Sequence, residues 1–319
     1  MVNLFVVGVG RSGTSLLQSM FAAHASVAYM PETGFIRRYV AKSKLAGLYA
    51  QYGFEAVVKC LTEDDNFSRI GIDPESLTRK ALDMDGQLDA NIYKCMVLES
   101  GGPDVEWVGD KDPRLLEFLP LVSRLFPSCK VVNIIRDPRD VLLSKKKAEW
   151  SMKGHPWKHI FANRVQLRLC RRYGALLFGS NYHEIIYEDL ISDPEATLSQ
   201  LCKELGLPFE KAMLDFGEAA KNLVSTQEIN WKKETLGPLL KANKQKWRKE
   251  LAPREWVLTQ YCCREAIEAG QYPIESKETR LGLRNKLWVF TGALAVLLMD
   301  WPYRWYRNFV VIRACRKLG

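Results

Sequence analysis

Residues 8–20 read GVGRSGTSLLQSM and follow the apolar run NLFVV, a strand-to-helix junction punctuated by glycines. Gly8, Gly10 and Gly13 allow a turn whose backbone N–H groups point inward, and a helix starting near Thr14 adds the positive end of its dipole. Such a loop holds an anion. The spacing of Gly8 and Gly13 fits the GxxxxG of a nucleotide-hydrolysing P-loop, but Thr14 stands where that motif needs lysine. Arg11 supplies a cation from within the loop instead. The bland alternative is a glycine turn joining strand to helix. A second stretch, VVNIIRDPRDVLLS at 131–144, sends Arg136 off the carboxyl end of a buried strand and sets Ser144 two helical turns on, where both can pinch one phosphate. Taken alone, its Arg-Asp-Pro turn also reads as a salt bridge and helix cap.

Together with YEDL at 187–190, these stretches resemble the superfamily of sulfotransferases that use 3′-phosphoadenosine 5′-phosphosulfate (PAPS). GRSGTSLLQSM resembles its 5′-phosphosulfate motif and VVNIIRDPRDVLLS its 3′-phosphate motif. Within the superfamily the chain is most similar to the branch of tyrosylprotein sulfotransferases and their bacterial relatives. AAHASV, PETGF, GDKDPR, SRLFP, VSTQ and NKQKW carry that resemblance in matching order over roughly residues 3–273.

The resemblance implies a P-loop-type α/β fold, PAPS as donor with its bisphosphate as product, no metal, and a hydroxyl-bearing acceptor. It places Arg11, Ser12, Gly13, Thr14 and Ser15 on the 5′-phosphosulfate, Arg136 and Ser144 on the 3′-phosphate, and Tyr187 on the nucleotide. Lys246 and Trp247 match a late loop closing over PAPS, and Ser225 and Thr226 match residues near the sulfonate, Ser225 with a catalytic part and Thr226 binding the donor. Glu32 matches the general base and Lys111 a lysine bridging toward the leaving group, assisted by Arg11. A donor without a magnesium-bound γ-phosphate needs no Walker lysine, which accounts for Thr14. On the residues alone, Glu32 also reads as a capping carboxylate of the next helix and Lys111 as a lysine paired with Asp110 or Asp112. His24 matches a histidine that caps and packs; His155, His159 and His183 have no motif context. Thr33-Gly34 stands where the branch has Thr-Arg, which argues against an acidic peptide acceptor.

The elements that must position these residues follow from periodicity. VEWVGD, KVVNIIRD and HEIIYEDL read as short buried strands, alternating with helices at DPRLLEFLPLVSRLF, from Asp137, and at DPEATLSQLCKELGLP with its Asp-Pro start and Gly-Leu-Pro stop. Strands alternating with helices predict a doubly wound parallel sheet whose ligands sit beyond the strands' carboxyl ends. Residues 37–98 read as helical, with a start at Asp73-Pro74, and are expected to form an insertion capping the sheet end on the acceptor side. Phe35, Tyr39, Leu45, Leu48, Tyr49 and Phe54 either line an apolar acceptor cleft there or form the insertion's own core.

With 319 residues and 47% hydrophobic content, the chain can bury a large core. The sulfotransferase domain is expected over 1–275 and a basic, aromatic-rich extension over 276–319. Eight cysteines without a CxxC pair suggest free thiols in a reducing compartment. No leader pattern opens the chain at Asn3, which suggests a cytoplasmic protein on the inner membrane face. Eight basic residues from Arg280 onward, against Asp300 alone, carry most of the net +9, so the charge does not argue for nucleic-acid binding. LWVFTGALAVLLM, residues 287–299, would be about 20 Å long as a helix, short of the roughly 30 Å a bilayer core requires. The mixture of Trp301, Tyr303, Trp305 and Tyr306 with arginines suits a membrane interface. The expectation is an anchor on anionic lipid made of one shallow helix, a Pro302 turn and a second basic helix; the alternative is a hairpin packed on the domain or on a second copy in a homodimer. An anchor implies a lipid, glycolipid or lipid-linked glycan as acceptor. A soluble glycan, small molecule or protein tyrosine is the alternative, and a P-loop kinase a more distant one.

Overall fold

The computed structural model describes residues 1–101, 105–148, 154–224, 237, 239–275 and 281–318. Strands β1 (Val2–Val7), β2 (Val27–Tyr29), β3 (Trp107–Lys111), β4 (Lys130–Ile135) and β5 (Tyr182–Ile186) form a sheet in the order β2-β3-β1-β4-β5, every pair parallel. Because side chains alternate along a strand, Leu4 and Val6 of β1 join Val132, Ile134 and Ile185 on one face, while Phe5 and Val7 join Val108, Val131 and Ile135 on the other. The doubly wound α/β class is the one the sequence indicates; β2, three residues long, carries no readable period. Ser225 and Thr226 lie outside the described residues.

Helix α1 (Thr14–Ala22) covers the first face. The second face carries α2 (Phe35–Arg38), α3 (Lys44–Tyr52), α4 (Phe54–Thr62), α5 (Asp65–Ser68), α6 (Pro74–Leu82) and α7 (Leu88–Glu99). Asp73 caps α6 by accepting from the Ser76 N–H at 2.8 Å, with Pro74 in the first turn. Most of these helices pack on the face of the sheet, and Arg37 of α2 reaches the cleft at its end. α7 is buried along nearly its whole length, and its Tyr93 hydroxyl donates to Asp110 Oδ2 at 2.8 Å on β3. Phe35, Tyr39 and Leu45 sit in the same core as Phe5 and Val108, Leu48 packs against it, and Tyr49 is exposed, so these side chains build the layer and leave the cleft to other residues.

DPRLLEFLPLVSRLF is not one helix. A 3-10 turn at Pro113–Glu117 breaks at Phe118 before α8 (Leu119–Leu125), which restarts with Pro120 in its first turn. After β4, Asp137 caps α9 (Pro138–Lys147) through Oδ1 and the Arg139 N–H at 2.9 Å. α10 (Pro156–Leu177) is a 22-residue helix across the second face. α11 (Tyr187–Ser192) and α12 (Pro194–Leu205), which ends at Gly206 in the left-handed region, return to the first face with α13 (Gly217–Leu223).

The C-terminal extension differs most from expectation. Leu283–Arg316 is one continuous helix of 34 residues with Pro302 inside it, not two helices about a turn. An internal proline costs about 3 kcal/mol, and anchors on both sides of Pro302 offset it. Asp300, buried, pairs with Arg164 at 3.0 Å, with Arg168 and with Arg304 at 2.7 Å, spanning the proline. Beyond it, Arg307 pairs with the fully buried Glu117, to which the Tyr303 hydroxyl donates at 3.1 Å, and Tyr173 donates to Asn308. One face of this helix is therefore part of the domain. Among the described residues no helix is long and apolar enough to cross a membrane.

Two consequences are measurable. Asp300→Ala leaves three arginines without their shared acid and is expected to cost about 3 kcal/mol in urea unfolding with an unchanged m-value; a loss below about 0.5 kcal/mol would show that Asp300 does not hold the helix. Burial pushes Asp110 up to about 7, so its contribution to stability is complete below about pH 4 and is lost as the pH rises through 7. Asp110→Asn should therefore melt above the parent by a margin that opens between about pH 4 and 7, reaching roughly 2–4 °C. A margin independent of pH contradicts this.

Candidate active site

The loops after β1, β2, β3 and β4 leave the same edge of the sheet, as parallel strands require, and surround a cleft of about 890 Å³. After β1 the chain passes through Gly8, where a Cβ would meet the Ile134 carbonyl oxygen at 2.7 Å. It enters α1 through Gly13 at φ 97°, where a Cβ would sit 2.4 Å from the Tyr187 ring. Both places demand glycine, one for a close approach and one for a left-handed backbone. Gly10, Arg11, Gly13, Thr14 and Ser15 line the cleft, whereas Ser12 is buried beneath it with its N–H turned back to the Val9 carbonyl at 3.0 Å.

Arg11 itself occupies the left-handed region at φ 77°, a conformation that costs a non-glycine residue roughly 1–2 kcal/mol. Two contacts hold it there. Its Nε donates to Ser144 Oγ at 3.0 Å, and its carbonyl accepts from Arg136 Nη1 at 3.1 Å. The loop after β1 and the motif after β4 are thus one structure. Arg136 also donates through Nη2 to the Asn243 carbonyl at 3.0 Å and lies 4.3 Å over the Tyr187 ring, while the Asn243 amide donates to the Tyr187 hydroxyl at 2.9 Å. Among the described residues, Arg136 Nε is buried with no hydrogen-bond partner, which leaves a donor available at the cleft wall.

The late loop contributes differently from expectation. Trp247 does not face the cleft: it is buried between the guanidinium groups of Arg139 and Arg248, its Nε1 donating to Asp137 Oδ2 at 3.1 Å and its backbone N–H to Asp140 Oδ1 at 2.9 Å. It fastens the loop, Lys246 lies beside it away from the cleft lining, and among the described residues of the loop Leu239, Leu240 and Asn243 face the cleft.

Glu32 and Lys111 come together. Lys111, the last residue of β3, is fully buried and donates to Glu32, whose carboxylate stands 28% exposed on the cleft wall. Glu32 does not cap the following helix, which begins after Gly34 without a side-chain cap, and Lys111 pairs with Glu32 in place of its sequence neighbours. Asp110 turns to Tyr93. Asp112 caps the 3-10 turn through the Arg114 N–H at 2.8 Å, and burial with the nearby Glu32 charge pushes it up to about 6. His24 is structural: Nδ1 accepts from the Ser26 N–H at 3.0 Å, so Nε2 carries the proton and donates to the Pro208 carbonyl at 2.8 Å.

The far wall of the cleft went unread. It consists of Lys158, His159, Phe161, Val165 and Gln166 of α10, Arg37 from the insertion, and Tyr303 from the C-terminal helix. Glu117 ties these parts together, accepting from Gln166 Nε2 at 2.7 Å as well as from Tyr303 and Arg307. The start at His155-Pro156 was a usable signal for α10; nothing local to Tyr303 marks it as a cleft residue. Lys145, beside Ser144 in the motif, also lines the cleft.

The family model described as Sulfotransferase family matches residues 3–211. Protein-tyrosine sulfotransferase 2 of Gallus gallus is 26% identical over 225 residues, 67% of this chain and 54% of the relative, so the chain spans about half the length of that protein. In structure, the chain is similar to the sulfotransferase domain of the Synechococcus PCC 7002 olefin synthase, with a TM-score of 0.62 and 20% identity over 86% of this chain and 95% of that one. The sulfotransferase domain from the curacin biosynthetic pathway gives a TM-score of 0.59 and 21% identity over 86% and 99%. With an anion-gripping loop and an arginine motif clasped at the same sheet edge, and a match over most of the sheet-bearing region, the chain belongs to the sulfotransferase family.

Proposed function

We propose that the protein transfers the sulfonate of PAPS to a hydroxyl group of a membrane-borne acceptor: a lipid, glycolipid or lipid-linked glycan. The observation that carries the transfer is the clasp of Arg11 on Ser144 and of Arg136 on the Arg11 carbonyl, in the cleft onto which Glu32 opens. When bound, PAPS supplies an activated sulfonate on a phosphate leaving group. The residues fit it: a glycine turn at a helix N-terminus, two arginines, and a buried Arg136 N–H without a partner among the described residues.

The chain's own part is proton transfer and charge control. Lys111 pairs with the Glu32 carboxylate, and Glu32 takes the proton of the acceptor hydroxyl as its oxygen bonds to sulfur. The electron pair of the broken sulfur–oxygen bond leaves on the phosphate, where Arg11 balances the added charge; Lys111 becomes free to assist once Glu32 is protonated. The pair thus couples base and counter-cation.

The membrane part of the proposal is supported by the outer face of the C-terminal helix. Leu287, Phe290, Leu294, Leu298, Trp301, Trp305, Phe309 and Ile312 are all exposed along it, and Arg313, Arg316 and Lys317 are exposed at its end. An apolar groove of about 630 Å³ between this helix and the helix Pro253–Cys262 adjoins that face, with Lys286 in its lining. Apolar surface and basic charge together fit anionic lipid.

Adenosine 3′,5′-bisphosphate should raise the melting temperature while ATP with magnesium does not; the reverse result refutes the donor. Glu32→Gln should retain bisphosphate affinity and lower turnover by about a hundredfold or more, and unchanged turnover removes Glu32 from its role. Truncating the C-terminal helix would uncover Glu117 and the core, so substitution is the cleaner test of the outer face. The triple change Trp301→Ser, Trp305→Ser, Phe309→Ser should abolish flotation with anionic vesicles and leave the melting temperature unchanged. Undiminished flotation, or none by the parent chain, refutes the membrane acceptor and favours a soluble one.

A further inference from the structure

Three consecutive lysines close α9, and they do different things. Lys146 pairs with the buried Glu255 at 2.7 Å, and Lys147 pairs with Glu250 at the surface. Lys145 turns inward, is 5% exposed, lines the cleft, and has no acidic partner among the described residues. The charged and titratable groups that act on it are Arg11 from the loop after β1 and the buried Cys263 thiol after the helix Pro253–Cys262; elsewhere the cleft is lined by Arg37, Arg114, Lys158, His159, Glu32, Asp112 and Glu117. Burial keeps the Cys263 thiol neutral, and the carboxylates of the cleft have other partners: Glu32 has Lys111, Asp112 the Arg114 N–H, and Glu117 has Gln166 and Arg307.

A desolvated ammonium costs several kcal/mol unless an opposite charge joins it, and a second cation close by adds to the cost. The structure nonetheless sets Lys145 near Arg11, next in sequence to the serine that Arg11 grips. Burial lowers Lys145 to about 8, with Arg11 adding to the shift, so the group is poised between charged and neutral. A donor carrying two phosphate-type groups brings about four negative charges. Lys111 is already committed to Glu32, and Arg11 and Arg136 are the clasped cations beside the loop after β1 that can meet them.

We propose that Lys145 is a further donor-binding cation, whose ammonium is completed by a phosphate oxygen of the bound nucleotide alongside Arg11 and Ser144. This rests on the PAPS reading above. Its signature is a proton: binding raises the lysine's affinity for H⁺, so the nucleotide binds with proton uptake between about pH 7 and 9.5, a range in which its own phosphates no longer titrate.

The test is calorimetric titration of the full chain with adenosine 3′,5′-bisphosphate at pH 7.0, 8.0 and 9.5, in buffers of differing ionisation enthalpy. The parent chain should take up a fraction of a proton at pH 8 and lose about tenfold in affinity by pH 9.5, close to the one to two pH units between those values. Lys145→Met should bind about tenfold more weakly at pH 7.0, with no proton uptake. Lys145→Arg should restore the affinity and make it independent of pH, and Lys146→Met should behave as the parent. If Lys145→Met binds as tightly as the parent with the same uptake, Lys145 does not touch the nucleotide. If that variant does not fold, the Arg variant and the parent's own uptake still decide: a parent that binds without taking up protons overturns the assignment. A parent chain that does not bind the bisphosphate at all instead refutes the donor reading, and this inference with it.

Discussion

The guanidinium of Arg139, wholly buried in the first turn of α9, is the interaction on which the β1 and β4 side of the cleft depends. It bonds both carboxylate oxygens of Asp137 at 2.9 and 2.8 Å, the Gln260 side-chain carbonyl and the Pro273 backbone carbonyl at 2.9 Å each, and lies 4.0 Å over the Trp247 ring. A buried ion is tolerable only when its donors are met in this way. The contacts reach three separated parts of the late chain, at 247, 260 and 273, and draw all of them to the end of β4. Arg136, one residue before Asp137, inherits its position from that knot, and Asn243 reaches Arg136 because Trp247 is fastened behind it.

Charge is divided across the cleft by the strand each residue leaves. The loops after β1 and β4 bring arginines, the Arg136 guanidinium met in part by two backbone carbonyls and a tyrosine face and that of Arg11 by the Ser144 hydroxyl. The loops after β2 and β3 bring Glu32, Lys111 and Asp112, where the cation is consumed internally. The strained backbone of Arg11 sits at the seam between these halves, and strain of this kind persists only where neighbours over-determine it, here through Ser144 and Arg136.

What could be read from the chain beforehand was whatever local backbone chemistry dictates. Glycines at 8 and 13 are required by a close approach and a left-handed turn, and Asp-Pro starts at 73, 137 and 193 cap helices wherever they occur. Pairings settled by distant partners were not legible. Periodic apolar residues such as Phe35, Tyr39 and Leu45 are compatible with a cleft or a core, and only packing against Phe5 and Val108 decides for the core. Trp247 has the residue type of a nucleotide-stacking ring, yet Asp137 and Arg139, more than a hundred residues earlier, claim both its edge and its face. Pro302 is locally a breaker; Asp300 and Arg307 override it through Arg164 and Glu117, residues far away in sequence.

The C-terminal helix presents different chemistry on its two sides. Tyr303 faces the cleft, and Trp301 and Trp305, about half a turn away on either side, face outward. The body between them is one helix, about 10–12 Å across with its side chains. With a bilayer interface against the outer side, that thickness fixes how far a hydroxyl must stand above the lipid to reach the mouth of the cleft. On the proposed membrane-borne acceptor, the helix would act as a gauge of head-group height: a hydroxyl close to the acyl chains would fall short, one far out on a long glycan would overshoot, and acceptors would be sorted by stature before any side chain in the cleft contacts them.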